Sequence, residues 1–320
     1  MAVQQIQGEP FNESCRKEET PAPPIPKTDN NGGGNLVDGK DEENTMNDKP
    51  EQNQSNNKDE DNKTNDEDED NKIILEQNTW ERYYIHRQRT IVKRHAKQSE
   101  VLIRDDGTVV YPYWAHERLR NDAATLLFIA ENTTIPVPKG RLYMEDGVLH
   151  LETTRITGGI LLEELEEGLK QAAHAAVDKQ LQTDILPQLR SIRRNSIGPV
   201  DLDLPVLVPP RIHRLDRRAW ERITSDTDEF VLCHNDLSKA NIFVDPDDNF
   251  RIVGIIDWEY AGFFPSYFEL PVWKCVDGLA IYECFEEALV RDLAFFGMKT
   301  EDLQNTSGDL PPIGQWRGTA

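Results

Sequence analysis

Apolar and polar residues alternate in two pairs of short segments, and each pair is joined at an Asp-Gly dipeptide. The first pair is Val101–Arg104 with Thr108–Tyr111, and the second is Arg141–Met144 with Val148–Leu151. Glycine accepts the positive φ of a tight turn, so each pair predicts a β-hairpin. Between the pairs, apolar residues recur at helical spacing over roughly His116–Glu131. This pattern predicts a helix packed on a small antiparallel sheet.

The second half of the chain has a mainly helical pattern with a short β segment inside it. Helical spacing predicts helix over Leu161–Arg194, around Asp216–Thr224 and over most of the residues after Pro271. Between these, Phe230–Cys233 predicts a strand, and two apolar runs within residues 241–256 predict a further hairpin. Strands followed by helices indicate an α+β protein.

The N-terminal segment differs from the rest of the chain in its excess of acidic residues. The chain has a net charge of -22, and residues 1–72 carry 19 Asp and Glu against 8 Lys and Arg. Because this segment has few large apolar residues to bury, we expect a disordered acidic tail. It is either a solvated tail, which is the simpler interpretation, or a docking segment for a basic protein partner. Order is expected to begin near Ile73, and we interpret the mixed apolar and basic residues 73–97 as helix.

Composition also excludes several classes of protein. No apolar run approaches the ~20 residues of a membrane span, and the first ten residues lack the features of a secretory signal. An acidic chain without a basic block is poorly suited to nucleic acid. The four cysteines show no paired spacing, which fits a reducing compartment. We therefore expect an intracellular, cytoplasmic protein that binds neither membrane nor nucleic acid.

The strongest chemical signal follows the strand at Phe230–Cys233. A polar loop carries His234 and Asp236, Asn241 stands five residues after Asp236, and the predicted hairpin returns the chain to Asp257. Because a hairpin brings its two ends together, three oxygen-bearing side chains can converge there. Amide and carboxylate oxygens suit Mg²⁺, which often keeps phosphate oxygens among its ligands.

Such an arrangement is suited to phosphoryl transfer. One carboxylate accepts the proton of a substrate hydroxyl while the metal neutralises phosphate charge. We predict Asp236 as the catalytic base, Asn241 and Asp257 as Mg²⁺ ligands, and His234 as the catalytic-loop residue whose ring holds the loop shape. Each oxygen donor could instead bond its own backbone or cap a turn, but the three together make that interpretation weak.

The motif His-x-Asp-x-x-x-x-Asn, with Ile-Asp-Trp-Glu after it, resembles the aminoglycoside phosphotransferase family, which is related to choline kinases. The resemblance spans about residues 100–275. It implies a two-lobed, protein-kinase-like α+β fold. Residues 73–155 would form the nucleotide-binding N-lobe, a small antiparallel sheet with one helix. Residues 156–320 would form a larger, mainly helical lobe with the catalytic loop and substrate site.

The resemblance also implies cofactors and a nucleotide site. ATP would be bound with Mg²⁺, and its γ-phosphate would be transferred to a hydroxyl of a small molecule. The backbone near residues 152–156 would hold adenine, which makes Glu152, Thr153, Thr154 and Arg155 the expected nucleotide contacts.

One feature of that family is missing from the expected place. The family carries a lysine on the strand before the N-lobe helix, which neutralises nucleotide phosphates, and a glutamate in the helix, which orients the lysine. Here residues 108–114 contain no lysine, and the glutamate position is taken by Asp122, with Glu117 as the other candidate. Basic residues elsewhere could substitute: Lys93, Arg94, Arg118 and Arg120. The alternative is therefore a pseudokinase or kinase-like scaffold with weak or no catalysis.

The acceptor is the least determined part of the sequence. Trp258, Glu259 and Tyr260 begin an aromatic stretch after Asp257, and acidic residues follow at and beyond Asp277. Aromatic rings with carboxylates suit a cationic acceptor. The simpler interpretation is that the aromatic residues are core and the acidic residues a solvated helix face.

Overall fold

The computed structural model describes residues 72–303 except residues 80, 81, 108 and 111. The predicted acidic tail lies outside the described residues apart from Lys72, so the structure does not bear on the basic partner considered for it. None of the helices in the described part has the length and apolarity needed to cross a membrane.

The N-terminal part is a five-stranded antiparallel sheet in the order β1-β2-β3-β7-β6, with helix α1 against it. Its elements are β1 (Ile73–Asn78), β2 (Arg82–Arg87), β3 (Thr90–His95), β4 (Leu102–Ile103), β5 (Val109–Val110), α1 (Ala115–Asn132), β6 (Gly140–Glu145) and β7 (Val148–Thr154). Both Asp-Gly hairpins and the helix between them are confirmed. The first hairpin forms a separate two-stranded ribbon, β4 with β5, so only the second belongs to the main sheet.

The predicted helix over residues 73–97 is wrong. This segment supplies three of the five strands, paired in sequence as β1 with β2 and β2 with β3. The aromatic and β-branched residues of β2 and β3 favour a pleated, half-buried surface. The alternation of apolar and polar residues that predicts a half-buried strand is missing from β1, because all six of its residues are exposed.

The C-terminal part combines helices with two three-stranded sheets, ordered β13-β10-β9 and β12-β11-β8. Its elements are β8 (Ile160–Leu161), α2 (Glu167–Gln180), α3 (Leu186–Ser191), β9 (Arg193–Arg194), α4 (Pro210–His213), β10 (Phe230–Cys233), β11 (Ile242–Asp245), β12 (Arg251–Ile255), β13 (Gly262–Phe264) and α5 (Gly278–Phe295). The predicted strand, the second-half hairpin and the helix after Pro271 are confirmed. The helix predicted over Leu161–Arg194 is confirmed only within residues 167–191, because both ends of that range lie in strands β8 and β9.

The helix predicted around Asp216–Thr224 is wrong. Asp216 accepts hydrogen bonds from the backbone and the guanidinium of Arg218, and Trp220 bridges to Val206. Local side-chain bonds of this kind compete with helix formation.

Close packing fixes the strand beside the catalytic loop. Gly262 pairs with Cys233, the last residue of β10, while the next residue, Phe263, forms a bridge with Gly198. A Cβ on Gly262 would lie 2.7 Å from the Gly198 carbonyl oxygen, closer than such atoms approach.

We expect Gly262→Ala to destabilise the protein by about 1–3 kcal/mol, because backbone must move to admit the methyl group. Urea denaturation measures the change. Gly168→Ala is the matched control, since nothing lies within 4 Å of its Cβ position in helix α2. Equal stability of the two variants would contradict this account of the β13 contact.

Candidate active site

The loop between β10 and β11 folds tightly on itself. Ser238 N donates to the Asp236 carbonyl at 2.8 Å, and Asn241 N donates to the Ser238 carbonyl at 3.1 Å. The Asn241 amide donates to the Asp236 carbonyl at 2.7 Å and lies 3.5 Å from its carboxylate. The structure therefore brings Asp236 and Asn241 together.

His234 holds this loop against the end of the hairpin. Its Nδ1 accepts from Asp236 N at 3.2 Å, so Nε2 carries the proton and donates to the Ile256 carbonyl at 3.0 Å. Burial lowers the pKa of His234 to about 4, which keeps the ring neutral. The Trp258 ring packs on it with centroids 4.5 Å apart. With both nitrogens occupied, the ring shapes the loop.

The hairpin β11–β12 carries Asp257 back to the loop. Ile242 pairs with Ile255, and Ile256 N donates to the Asn241 carbonyl at 3.0 Å. Asp257 thus follows directly on a residue bonded to Asn241, and it adopts a left-handed backbone with φ of 66°. This is the convergence expected of hairpin ends.

A lysine does reach this site, and it is Lys93, one of the basic residues considered as substitutes for the lysine missing from residues 108–114. Lys93 on β3 places its Nζ 2.9 Å from Asp122 Oδ2 and 2.7 Å from Asp257 Oδ1. Burial alone would lower the pKa of Lys93, but Asp122 and Asp257 raise it well above its ordinary value. The side chain of Asp122 is long enough to hold the lysine, although it is shorter than glutamate.

Helix α1 forms hydrogen bonds to the segment that follows Asp257. Asp122 Oδ1 accepts from Trp258 N at 3.1 Å. The neighbouring Asn121 amide donates to the carbonyls of Glu259 at 3.0 Å and Ala261 at 2.8 Å. One turn of helix thereby fixes the position of the loop from the other lobe.

Trp258, Glu259 and Tyr260 were expected to contact substrate, and their burial corrects that expectation. Glu259 lies 2.7 Å from Arg82 Nη2 and 3.2 Å from Arg118 Nη1. These guanidinium groups offset its burial and lower its pKa to about 2. Trp258 is fully buried, and the Tyr260 hydroxyl bonds to Arg118. The aromatic stretch is core, as the simpler interpretation held.

Asp236 forms no ion pair with the residues that the structure describes. Burial most of all, and then the nearby carboxylates of Asp257 and Glu259, raise its pKa to about 8. A divalent cation between these groups would oppose that shift. Asn241 and Asp257 offer one amide and one carboxylate oxygen, which fits Mg²⁺ completed by phosphate and water. The described residues contain no cluster of three or more His, Cys, Asp or Glu that would hold a metal alone.

A cavity of about 440 Å³ opens beside these groups. Of the predicted nucleotide contacts, Asp122, Thr153, Thr154 and Arg155 line it, together with Lys93 and Asp257. The amides of Thr154 and Arg155 already donate to the carbonyls of Lys139 and Arg89. These two amides are therefore not available to a ligand.

The Glu152 side chain does not face this cavity, whereas the nucleotide contact predicted for Glu152 is through its backbone and stays a prediction. Successive side chains of a strand point to opposite faces. The Glu152 carboxylate accepts from Thr90 at 2.9 Å, Arg87 at 3.2 Å and Arg141 at 2.7 Å.

Tyr84 was missed by sequence analysis. It pairs directly with Lys93 across β2 and β3, which puts both side chains on one face of the sheet. It lines the 440 Å³ cavity, and burial raises its pKa to about 12. Recognising strands in residues 73–97 would have shown this pairing.

The family model described as the phosphotransferase enzyme family (APH) matches residues 76–279, almost two thirds of the chain. The chain belongs to this phosphotransferase family. The match confirms the resemblance found in the catalytic motif and its two-lobed, protein-kinase-like α+β fold. No curated protein matches the sequence.

Solved structures with a similar fold include aminoglycoside phosphotransferases. APH(4)-Ia is 14% identical over 74% of this chain and 83% of that chain, with a TM-score of 0.41. ADP-bound APH(2'')-Ib is 14% identical over 75% and 88%, with a TM-score of 0.38. The streptomycin-ATP complex of APH(2'')-IIa is 15% identical over 76% and 89%, with a TM-score of 0.36. Likeness this distant is evidence for neither activity nor substrate.

We expect Glu259→Gln to destabilise the protein by about 3 kcal/mol or more, because two buried guanidinium groups lose their counter-charge. Guanidinium chloride would screen charge, so urea denaturation is the measurement. Glu167→Gln, which removes a solvent-exposed partner of Lys170, is the matched control and should change little. A Glu259 variant as stable as the control would show that the buried ion pairs contribute nothing net.

Proposed function

We propose that this protein transfers the γ-phosphate of ATP, bound with Mg²⁺, to a hydroxyl of a small molecule. The observation that carries the proposal is the convergence of Lys93, Asp122 and Asp257 beside the Asp236–Asn241 pair at the edge of a nucleotide-sized cavity. Phosphoryl transfer depends on positioning and charge stabilisation, and these groups supply both.

Each residue has a defined part in that reaction. Lys93 binds phosphate oxygens of the nucleotide, and Asp122 holds the lysine in place. Asn241 and Asp257 hold Mg²⁺, which when bound neutralises phosphate charge. Asp236 orients the acceptor hydroxyl and takes its proton as the new O–P bond forms and the bond to the β-phosphate breaks, releasing ADP.

The pseudokinase alternative rested on a missing lysine. Lys93 removes that reason, because its Nζ contacts both Asp122 and Asp257. No other feature of the described residues favours a scaffold without catalysis.

A nucleotide-binding experiment tests the proposal. Mg·ATP should raise the melting temperature of the wild type by mass action. Asp257→Ala should abolish the shift, since it removes a metal ligand and the partner of Lys93. Asp236→Asn should keep the shift and lose about 10²-fold or more of phosphate transfer.

Transfer is measured as ADP release dependent on an acceptor alcohol. A wild type whose melting temperature does not respond to millimolar Mg·ATP would contradict the proposed function. Full activity of Asp236→Asn would contradict only the role of the base.

The position of Tyr84 yields a second prediction. Its hydroxyl has no hydrogen-bond partner among the described residues and faces the cavity beside Lys93. Tyr84→Phe should weaken Mg·ATP binding several-fold and leave adenosine binding unchanged, because a hydroxyl can donate to phosphate. Calorimetric titration gives both affinities.

Tyr83→Phe is the matched control, since the Tyr83 hydroxyl points away and donates to Glu76 at 2.8 Å. If Tyr84→Phe and Tyr83→Phe bind Mg·ATP equally, the Tyr84 hydroxyl has no contact with phosphate.

A further inference from the structure

A second cavity, of about 570 Å³, lies on the other side of the catalytic loop. Ser238, Lys239 and Ala240 line one wall, and they are three of the four residues between Asp236 and Asn241. Ser238 N donates to the Asp236 carbonyl at 2.8 Å, so this wall belongs to the same hydrogen-bonded loop as the proposed base, and we take the cavity as the site of the acceptor.

Charged and titratable residues of both signs line this cavity: Glu163, Glu167, Lys170, His174, Lys239 and Asp277. Much of that charge is already matched within the protein. Lys170 Nζ lies 2.9 Å from Glu167 Oε2. Asp277 caps helix α5 by accepting from Ala280 N at 2.9 Å. Glu163 is exposed at the rim.

Two groups near the catalytic loop remain unmatched. Half-buried Lys239 has no ion-pair partner among the residues that the structure describes, and burial lowers its pKa. The Nε2 atom of His174 is buried without a hydrogen-bond partner within the same range. Buried donors without partners are costly, and an anion would satisfy both.

The backbone of Lys239 is fixed close to the reacting groups. It begins the short 3₁₀ turn Lys239–Asn241, and the hydrogen bonds of Ser238 and Asn241 close the loop around it. A molecule whose anionic group is bound by Lys239 could therefore present a hydroxyl of its own to Asp236.

We propose that the acceptor is a hydroxyl compound with an anionic group, either a carboxylate or a phosphate, which Lys239 and His174 bind. This inference rests on the phosphotransferase function proposed above. It replaces the cationic acceptor suggested by the sequence, because the aromatic residues of that hypothesis are mostly buried. Of its acidic residues, Asp277 lines the cavity but accepts from Ala280 N as the cap of α5, whereas Glu283, Glu286 and Glu287 are exposed on α5 and do not line the cavity.

A set of pyranoses of matched size tests the charge preference. Glucuronate carries a carboxylate, glucose 6-phosphate a phosphate, glucose no charge, and glucosamine an ammonium group. With Mg·ATP, we expect kcat/KM for at least one of the anionic sugars to exceed that for glucose and glucosamine about tenfold or more. The two anionic sugars distinguish a carboxylate from a phosphate.

Lys239→Gln should remove this preference and leave turnover of glucose within about twofold, because only the anionic group loses a charge-assisted bond. Lys179→Gln, an exposed position on α2 outside the cavity, is the control and should retain the wild-type preference. Hydrolysis of Mg·ATP without acceptor should be the same in all three proteins.

Three results would overturn the proposal. The first is preferred turnover of glucosamine, and the second is turnover of neither anionic sugar. The third is a loss of acceptor-free Mg·ATP hydrolysis in Lys239→Gln as large as its loss of kcat/KM for the anionic sugars, which would place the lysine on the transferred phosphate. Failure of the wild type to bind Mg·ATP would instead contradict the phosphotransferase function itself.

Discussion

The Lys93 ammonium group joins three parts of the molecule that are distant in sequence. It extends from the central strand of the N-lobe sheet, contacts Asp122 on helix α1, and reaches Asp257 at the end of the second-lobe hairpin. A buried cation is tolerated only when it is paired, so the ammonium group requires both carboxylates nearby. This requirement sets the distance between the sheet and the catalytic loop.

The carboxylates around the loop differ in whether a cationic side chain lies beside them. Asp257 has Lys93, and Glu259 has Arg82 and Arg118. Asp236 has no cation within ion-pair distance in the described part of the chain, and its pKa is raised to about 8, mainly by burial. The protein therefore balances the charges that hold the lobes together and leaves the charge at the reaction centre to be balanced by what binds there.

The two cavities are lined by different segments around the loop that carries His234 and Asp236. Ile256 and Asp257 face the 440 Å³ cavity, while Ser238, Lys239 and Ala240 face the 570 Å³ cavity. His234 links these two segments through its ring, donating to Ile256 and accepting from Asp236. Because both of its ring nitrogens form hydrogen bonds and the ring is neutral, His234 can hold these two segments in fixed positions without taking part in proton transfer.

Short-range pattern in the sequence determined the hairpins, helix α1, the strand before the loop, and the approach of Asn241 to Asp257. These depend on turn residues and on neighbours a few positions apart, which the chain itself specifies. Tertiary structure alone decided that β3 and its Lys93 lie beside Asp122 and that the Glu152 side chain faces away from the 440 Å³ cavity. It also decided that Glu259 is held by two arginines. Those outcomes depend on which strands pair and which face each side chain takes, and a shift of one residue in a strand reverses the face.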